Sequence, residues 1–532
     1  MNSESLIKQA RKQTLGDLPR RSAVRFPDKE AIIEGDVRLT FTEFDERIDR
    51  VAAALAEAGM TKGDTLALLS HNCWQFPVIV FAAARLGIIL VPINFMLGAR
   101  EIAYILDHSE SDALVAEDAL VTVADDALRQ TSGRIRIRAT IRLEGADVPS
   151  GWADIEDWVN HERTPLPDVD IADDDPLRLM YTSGTESRPK GAILSSRSLL
   201  WQYTSCIVTG EMATSDVEVH SMPLYHCAQL DNFLITDIYL GATSIILRRP
   251  DPVEILKTIE AEKVTNLFCP PTVWISLVRA PEFDSADLRS LRKGYYGASP
   301  MPVEILNEMG RRMPGIRLWN FYGQTEMASI ATALPPEDQL EFGGSAGLPA
   351  LNVETRIVDW QDNPLPDGEV GEIVHRSPHA MLGYFRDEER TADAFRNGWF
   401  HSGDLGYLGE GGRLYVVDRK KDMIKTGGEN VASREVEEVI YEHESVAEVA
   451  VFGVDHPRWV EAIVAVVVPR PGVSLDPDDV IGHCRSRLAG FKTPKYVVIV
   501  DALPKNPSGK ILKRELRNSF GEIAKAGEPA SR

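Results

Sequence analysis

Apolar runs of β type alternate with helical patterns through most of this chain, and that alternation constrains the fold more than any other feature. Residues 65–69 read as a buried strand, 76–86 as a helix, 88–93 as a strand, 99–106 as a helix and 113–116 as a strand. Strands joined through helical crossovers predict an α/β fold with largely parallel sheets. The most apolar stretch, 76–95, is broken by Arg85 and carries Pro77, Gly87, Pro92 and Asn94. It therefore reads as a buried helix followed by a buried strand, not as a membrane span. At 532 residues the chain is too long for one ordinary core, which predicts more than one domain.

The texture changes from 350 to 376. Short alternating runs at 353–358 and 369–375 are split by Asp, Asn, Pro and Gly, which predicts a small antiparallel barrel or sheet. A hairpin over 406–418 turns through Gly409-Glu410-Gly411-Gly412. After it comes a compact α+β pattern: helix 433–441, strands 446–454 and 462–468, helix 477–488. The reading is a large N-terminal body of α/β sheets, residues 1–418, and a small C-terminal lid, residues 419–532, with the boundary near 418–422.

Fifty-eight basic against 80 acidic residues leave a net charge of −22, which argues against nucleic acid or an anionic membrane as main partner. The first residues lack the apolar core of a signal peptide, so a cytoplasmic location is expected. Cys73, Cys206, Cys227, Cys269 and Cys484 form no CxxC pair. An odd, scattered set predicts free thiols.

The first motif with chemical content is Tyr181-Thr182-Ser183-Gly184-Thr185-Glu186-Ser187-Arg188-Pro189-Lys190-Gly191. Small residues let backbone N–H groups approach a polyphosphate, hydroxyls add donors, and Lys190 adds charge. It is not a Walker loop, and taken alone it would pass for a surface turn. Its residue order, however, resembles the YTSGTTGxPKG signature of the adenylate-forming superfamily. Glu186 and Ser187 depart from that pattern, where threonine and glycine are usual.

Further segments follow in the family's order. Gly297-Ala298-Ser299-Pro300 resembles the stretch lining the adenine and acyl pocket. Asn320-Phe321-Tyr322-Gly323-Gln324-Thr325-Glu326 resembles YGxTE; the resemblance implies Tyr322 stacked on adenine beside Gly323, Thr325 on a phosphate or acyl oxygen, and Glu326 placing Mg²⁺. Gly398 to Gly406 carries Asp404 where the family binds the ribose hydroxyls, and Arg419 matches a second ribose residue. One carboxylate can accept from two hydroxyls, which suits Asp404 to that task. His226 aligns with an aromatic gate between the acyl pocket and coenzyme A. Cys227 beside it reads as a small buried filler. Pro504-Lys505-Asn506-Pro507-Ser508-Gly509-Lys510 resembles PxTxSGK, implying Lys510 as the catalytic lysine.

The resemblance implies an AMP-forming acyl-CoA synthetase using ATP, Mg²⁺ and coenzyme A. A carboxylate attacks the α-phosphate, with Lys190, Thr325, Glu326 and Lys510 positioning and neutralising charge. The lid then turns about Lys421, and Gly427 and Gly428 face the pantetheine arm as the thiol attacks. Thr182, Ser183, Gly184 and Thr185 would grip the phosphates. Trp201, Tyr203, Gln229, Leu230, Phe233, Tyr295, Tyr296, Gly297, Ala298 and Met327 form the expected acyl-pocket wall, mixed aromatic and aliphatic without an obvious counter-charge. That suits a fatty or aryl acid. An acyl-AMP ligase loading a carrier protein, and a non-catalytic ATP-binding protein, stay open as alternatives. No GGxS-like attachment motif follows Lys510, and residues 225–229 lack the aspartate an amino-acid substrate needs. A monomer or homodimer is the family habit.

Overall fold

The computed structural model describes residues 3–182, 189–297, 301–420, 422–426, 429–456, 458–505, 511–521 and 523. The chain divides into two compact units: residues up to Thr355 together with His375–Phe400, and Arg356–Val374 together with His401 onward. The stretch 418–422 lies inside the second unit.

Two large sheets make the first unit. Eight strands form one, with Pro176–Thr182 between Lys190–Ser195 and Ile89–Ile93; beyond Ile89–Ile93 come Thr65–Leu69 and Ala113–Glu117. The expected succession is found: Thr65–Leu69 pairs in parallel with both Ile89–Ile93 and Ala113–Glu117. The helices Gln75–Leu86 and Ala99–His108 cross between these strands. Gln75–Leu86 is buried along nearly its whole length and ends at Gly87, whose φ of 68° makes the left-handed cap that glycine adopts without a Cβ penalty. Helix Phe41–Glu57 starts on a Thr40/Glu43 capping box and buries Phe41, Phe44, Ile48, Val51 and Leu55 on one face.

Nine strands form the other sheet. At its centre Val217–His220, Asn266–Phe268, Lys293–Gly297 and Arg317–Gln324 run parallel in that order. In open α/β sheets, ligands bind beyond the carboxyl ends of such strands. Here those ends deliver His220, Gly297 and Tyr322.

In the second unit, the expected barrel or sheet is an open four-stranded sheet in the order Glu354–Val358, Gly371–Arg376, Phe400–Leu408, Leu414–Arg419; no barrel closes among the described residues. A five-stranded sheet follows, built on the long hairpin Val446–His456/Val460–Pro469. Helix Ser433–Tyr441 packs Val436 and Ile440 on one face of it and Leu516 of helix Lys513–Phe520 packs on the other. Among the described residues no helix is long and apolar enough to cross a membrane.

Candidate active site

Thr182 ends one strand and Lys190 starts the next, and the two are register partners in an antiparallel pair. The hydroxyl-rich segment therefore connects two antiparallel neighbours. Its residues Ser183, Gly184, Thr185, Glu186 and Ser187 lie outside the described residues, as do Ala298, Ser299, Lys421, Gly427, Gly428 and Lys510. The flanks are well anchored. The Tyr181 hydroxyl lies 2.7 Å from His108 Nδ1, and the Tyr104 hydroxyl donates to Pro189 O at 3.1 Å. The Thr182 hydroxyl is buried and has no hydrogen-bond partner among the described residues. A cavity of about 440 Å³ opens beside these strands, lined by Tyr104, His108, Lys190, Phe385, Asp387 and Arg390 among others.

Lys190 points toward Glu326, Nζ to Oε1 3.3 Å. A residue the sequence did not single out touches both. The Tyr384 hydroxyl donates to Glu326 Oε1 at 2.9 Å and accepts a hydrogen bond from Lys190. The ammonium also lies 4.0 Å from the centroid of the Tyr384 ring, a cation–π contact. Burial pushes the Tyr384 phenol well above its ordinary range, and the Glu326 carboxylate adds to the effect. Gly383-Tyr384 is a short strand pairing with the one Lys190 begins.

Gly297 and Phe321 are register partners on adjacent strands, and a Cβ on Gly297 would stand 2.5 Å from Phe321 O. Tyr322 is half-buried, its ring 6.2 Å from His375. Gly323 permits a still closer approach, a Cβ there meeting Ser329 O at 1.8 Å. The chain then makes a single 3₁₀ turn, Thr325–Met327, which presents Thr325 to Cys227 (Oγ1 to Sγ 3.4 Å). Cys227 is buried, as expected of a filler.

His226 is half-buried and its Nδ1 accepts from Ala228 N at 3.1 Å, capping the short turn Cys227–Gln229. Gln229 is fully committed to bracing this segment. Its Oε1 accepts from Met222 N at 3.2 Å, which leaves Nε2 to meet His220 Nδ1 at 2.8 Å. That makes His220 the Nε2–H tautomer, directed at Asp237 Oδ2 3.4 Å away. Of the other expected wall residues, Trp201 is 44% exposed, whereas Tyr203, Leu230, Phe233, Tyr295, Tyr296 and Met327 are buried. Phe233 is stacked on Phe268 (4.5 Å) and also meets Tyr295 and Phe321, and Tyr295 stacks on Trp319. The carboxyl ends of the parallel strands thus rest on a block of aromatic rings.

A buried ion pair underlies this corner. Arg178, in the strand that ends at Thr182, bonds Asp231, just beyond Gln229, and both are essentially inaccessible, 1% and 0% exposed. The Tyr203 hydroxyl adds a bond to Asp231 at 3.0 Å. Arg178 Nε and Nη2 and Asp231 Oδ2 have no hydrogen-bond partner among the described residues.

In the second unit, Asp404 and Arg419 are register partners on antiparallel strands and form an ion pair, Nε to Oδ1 2.7 Å, with Asp404 buried. The neighbouring segment is held at several points. Asp418 accepts from Ser433 N and Oγ at 2.6 and 2.8 Å, Lys420 reaches Glu372 at 3.2 Å, and Arg517 reaches Asp422 at 2.8 Å. Glu372 also faces His401 at 3.4 Å. Burial alone would raise the Glu372 carboxyl, but His401 and Lys420 outweigh it and hold the group at about 2.

Residues 19–385 match the family model described as "AMP-binding enzyme", and 435–510 match "AMP-binding enzyme C-terminal domain". Feruloyl-CoA synthase from Amycolatopsis sp is 37% identical over 511 residues, covering 96% of this chain and 100% of that protein. Indoleacetate–CoA ligase from Aromatoleum aromaticum is 33% identical, covering 94% and 95%. The solved structure of o-succinylbenzoate CoA synthetase from Bacillus subtilis in complex with its acyl-adenylate intermediate superposes with a TM-score of 0.82 at 29% identity, covering 95% and 98%.

Proposed function

Because the chain belongs to the AMP-binding enzyme family, we propose that it activates an aryl or arylalkanoic acid, with its site residues in the roles set out below. The reaction itself is that of an AMP-forming acid–CoA ligase: acid, ATP and coenzyme A give acyl-CoA, AMP and diphosphate through an acyl-adenylate. The observation that carries the substrate class is the buried aromatic block of Phe233, Phe268, Tyr295, Trp319 and Phe321 at the strand ends. A flat acid gains offset-stacked and edge contacts against such rings that an alkyl chain does not. Relatives named for feruloyl and indoleacetyl thioesters support the same reading.

In this reading Thr182 and Lys190 hold the phosphates from the ends of the two paired strands, together with Ser183, Gly184 and Thr185. The buried Thr182 hydroxyl, unpartnered among the described residues, supports this reading as a donor able to serve a phosphate oxygen. Tyr322 carries the adenine, and Asp404 with Arg419 the ribose. Glu326 offers a buried carboxylate, the hard oxygen donor that Mg²⁺ prefers, and fits that ion. When bound, Mg²⁺ would neutralise triphosphate charge. Lys190 and Thr325 orient the α-phosphate for in-line attack, and Lys510 stabilises charge developing there. Residues 419–532 then turn as a lid about Lys421. Lys510 leaves, Gly427 and Gly428 line the thiol's path, and His226 gates it. The enzyme acts in the cytoplasm as a monomer or homodimer.

The test is diphosphate release with Mg-ATP over a panel of hydroxycinnamic, arylacetic, fatty and amino acids, with and without coenzyme A. Release confined to aryl acids, with an aryl-CoA product, is expected. Release with fatty acids of ten or more carbons at equal kcat/KM would refute the substrate class.

A further inference from the structure

We propose that Tyr384 is a positioning residue for adenylation: its hydroxyl bridges the Glu326 carboxylate and the Lys190 ammonium and holds both where a metal-bound triphosphate is gripped. This rests on the reading that Glu326 serves the metal and Lys190 the phosphates. A phenol has one proton and two lone pairs, so it can donate to an anion and accept from a cation at the same time. Tyr384 does both, to Glu326 Oε1 at 2.9 Å and from Lys190. Lys190 and Glu326 are themselves ion-paired, 3.3 Å apart, and the hydroxyl bonded to both fixes where each charge stands. Without it the two side chains keep their mutual attraction but lose the third point that holds them in place.

The ammonium has three N–H donors, and the bond to Tyr384 uses one, which leaves two for phosphate oxygens. The carboxylate keeps Oε2 for the metal. Tyr384 is itself held from two sides, by the pairing of Gly383-Tyr384 with the strand that begins at Lys190 and by Tyr384 N donating to Thr391 Oγ1 at 2.9 Å. Its ring is 8% exposed, so a fixed frame carries the hydroxyl.

Tyr384→Phe keeps the ring, its packing and the contact with the Lys190 ammonium, and removes the hydroxyl alone. Binding of ATP with Mg²⁺ is measured by titration calorimetry, without acid or coenzyme A, alongside the thermal midpoint and thiolation of a supplied acyl-adenylate. Loss of a hydrogen bond to charged groups predicts Mg-ATP affinity lower by about tenfold. The midpoint should drop modestly, as it does when a buried hydrogen bond to charged groups is removed. The thiolation rate, which needs no triphosphate, should fall far less than Mg-ATP affinity; a merely structural role for the hydroxyl does not predict that split. Glu326→Gln and Lys190→Ala are run in parallel. If both weaken Mg-ATP and Tyr384→Phe does not, the role of Tyr384 is refuted while the site reading stands. If neither weakens Mg-ATP, the site reading fails and this proposal with it. In the Glu326→Gln background, Tyr384→Phe should add less than about twofold, since coupled groups are not additive. A full tenfold there would mean that Tyr384 acts independently of Glu326 and would overturn the proposal.

Discussion

Breaking the Arg178–Asp231 pair from either side should destabilise the first unit strongly, but by unequal amounts and with only one of the two costs depending on pH. Both groups are out of contact with water, and removing one partner of such a pair typically costs ~3–5 kcal/mol. The two survivors differ in what they can do next. After Arg178→Met, Asp231 keeps only the Tyr203 bond and escapes its buried charge by taking up a proton. Burial already raises its carboxyl above the ordinary value. The cost should fall near the lower end, about 3 kcal/mol at neutral pH, and shrink as the pH drops toward the unfolded carboxyl value. After Asp231→Asn the guanidinium cannot shed its proton, so the cost should approach about 5 kcal/mol without comparable relief at low pH. Replacing both, with Arg178→Met and Asp231→Leu, removes both buried charges at once, strands only the Tyr203 hydroxyl, and should lie within about 2 kcal/mol of the parent. Urea denaturation of the three variants at pH 5.5 and 7.5, followed by tryptophan fluorescence, reads these differences. Single variants within about 1 kcal/mol of the parent, or a double variant as damaged as the sum of the singles, would refute the reasoning.

Lys510→Ala should abolish diphosphate release yet thiolate a supplied acyl-adenylate at nearly the parental rate, while Lys421→Pro should slow thioester formation more than adenylation; half-reaction assays separate the two. Gly297→Ala places a Cβ 2.5 Å from Phe321 O, so the strands must part. A stability loss of ~1–3 kcal/mol is expected, with KM for the acid rising more than KM for ATP. Burial holds the His375 imidazole down at about 3 and that of His379 at about 4. Between the unfolded value near 6.5 and those values, only the unfolded chain takes up the protons. Stability is therefore full above pH 6.5 and falls by ~1.4 kcal/mol per pH unit per histidine as the pH drops. His379→Gln should flatten that slope by about half of the pair's share, measured as urea midpoints from pH 7 to 5.

Local patterns carried much of the fold. Strand 65–69 and helix 433–441 are found with those bounds, because an unbroken apolar run and a 3.6-residue repeat each admit one burial mode. Helix 477–488 stops at Arg485, short of the expected end, and helix 99–106 runs on to His108, since ends depend on capping contacts more than on periodicity. The compact reading of 350–376 was right in texture, but closure of a barrel is a property of strand pairing that alternation does not encode. In the site, Asp404 and Arg419 were legible because each sits in a patterned motif, and the hairpin register brings them together. Tyr384 was not. It lies 194 residues from Lys190 in a segment with no chemical texture of its own, and an aromatic beside glycine reads as packing. The same holds for Arg178 with Asp231 and for His220 with Asp237, whose meaning exists only once distant strands and helices meet.

The burial of Cys227 bears on the fate of the activated intermediate. An acyl-adenylate is a mixed anhydride that any competent thiolate can open, and Cys227 Sγ lies 3.4 Å from the Thr325 hydroxyl at the site's edge. Burial pushes this thiol up to about 12, so at neutral pH only about one molecule in 10⁵ presents the nucleophilic form. The other four cysteines are likewise buried, with their thiols pushed upward by the same cause. A sulfur acceptor delivered from solution therefore faces no rival sulfur inside the protein. The enzyme is thereby spared acylation at its own sulfurs during the interval between its two half-reactions.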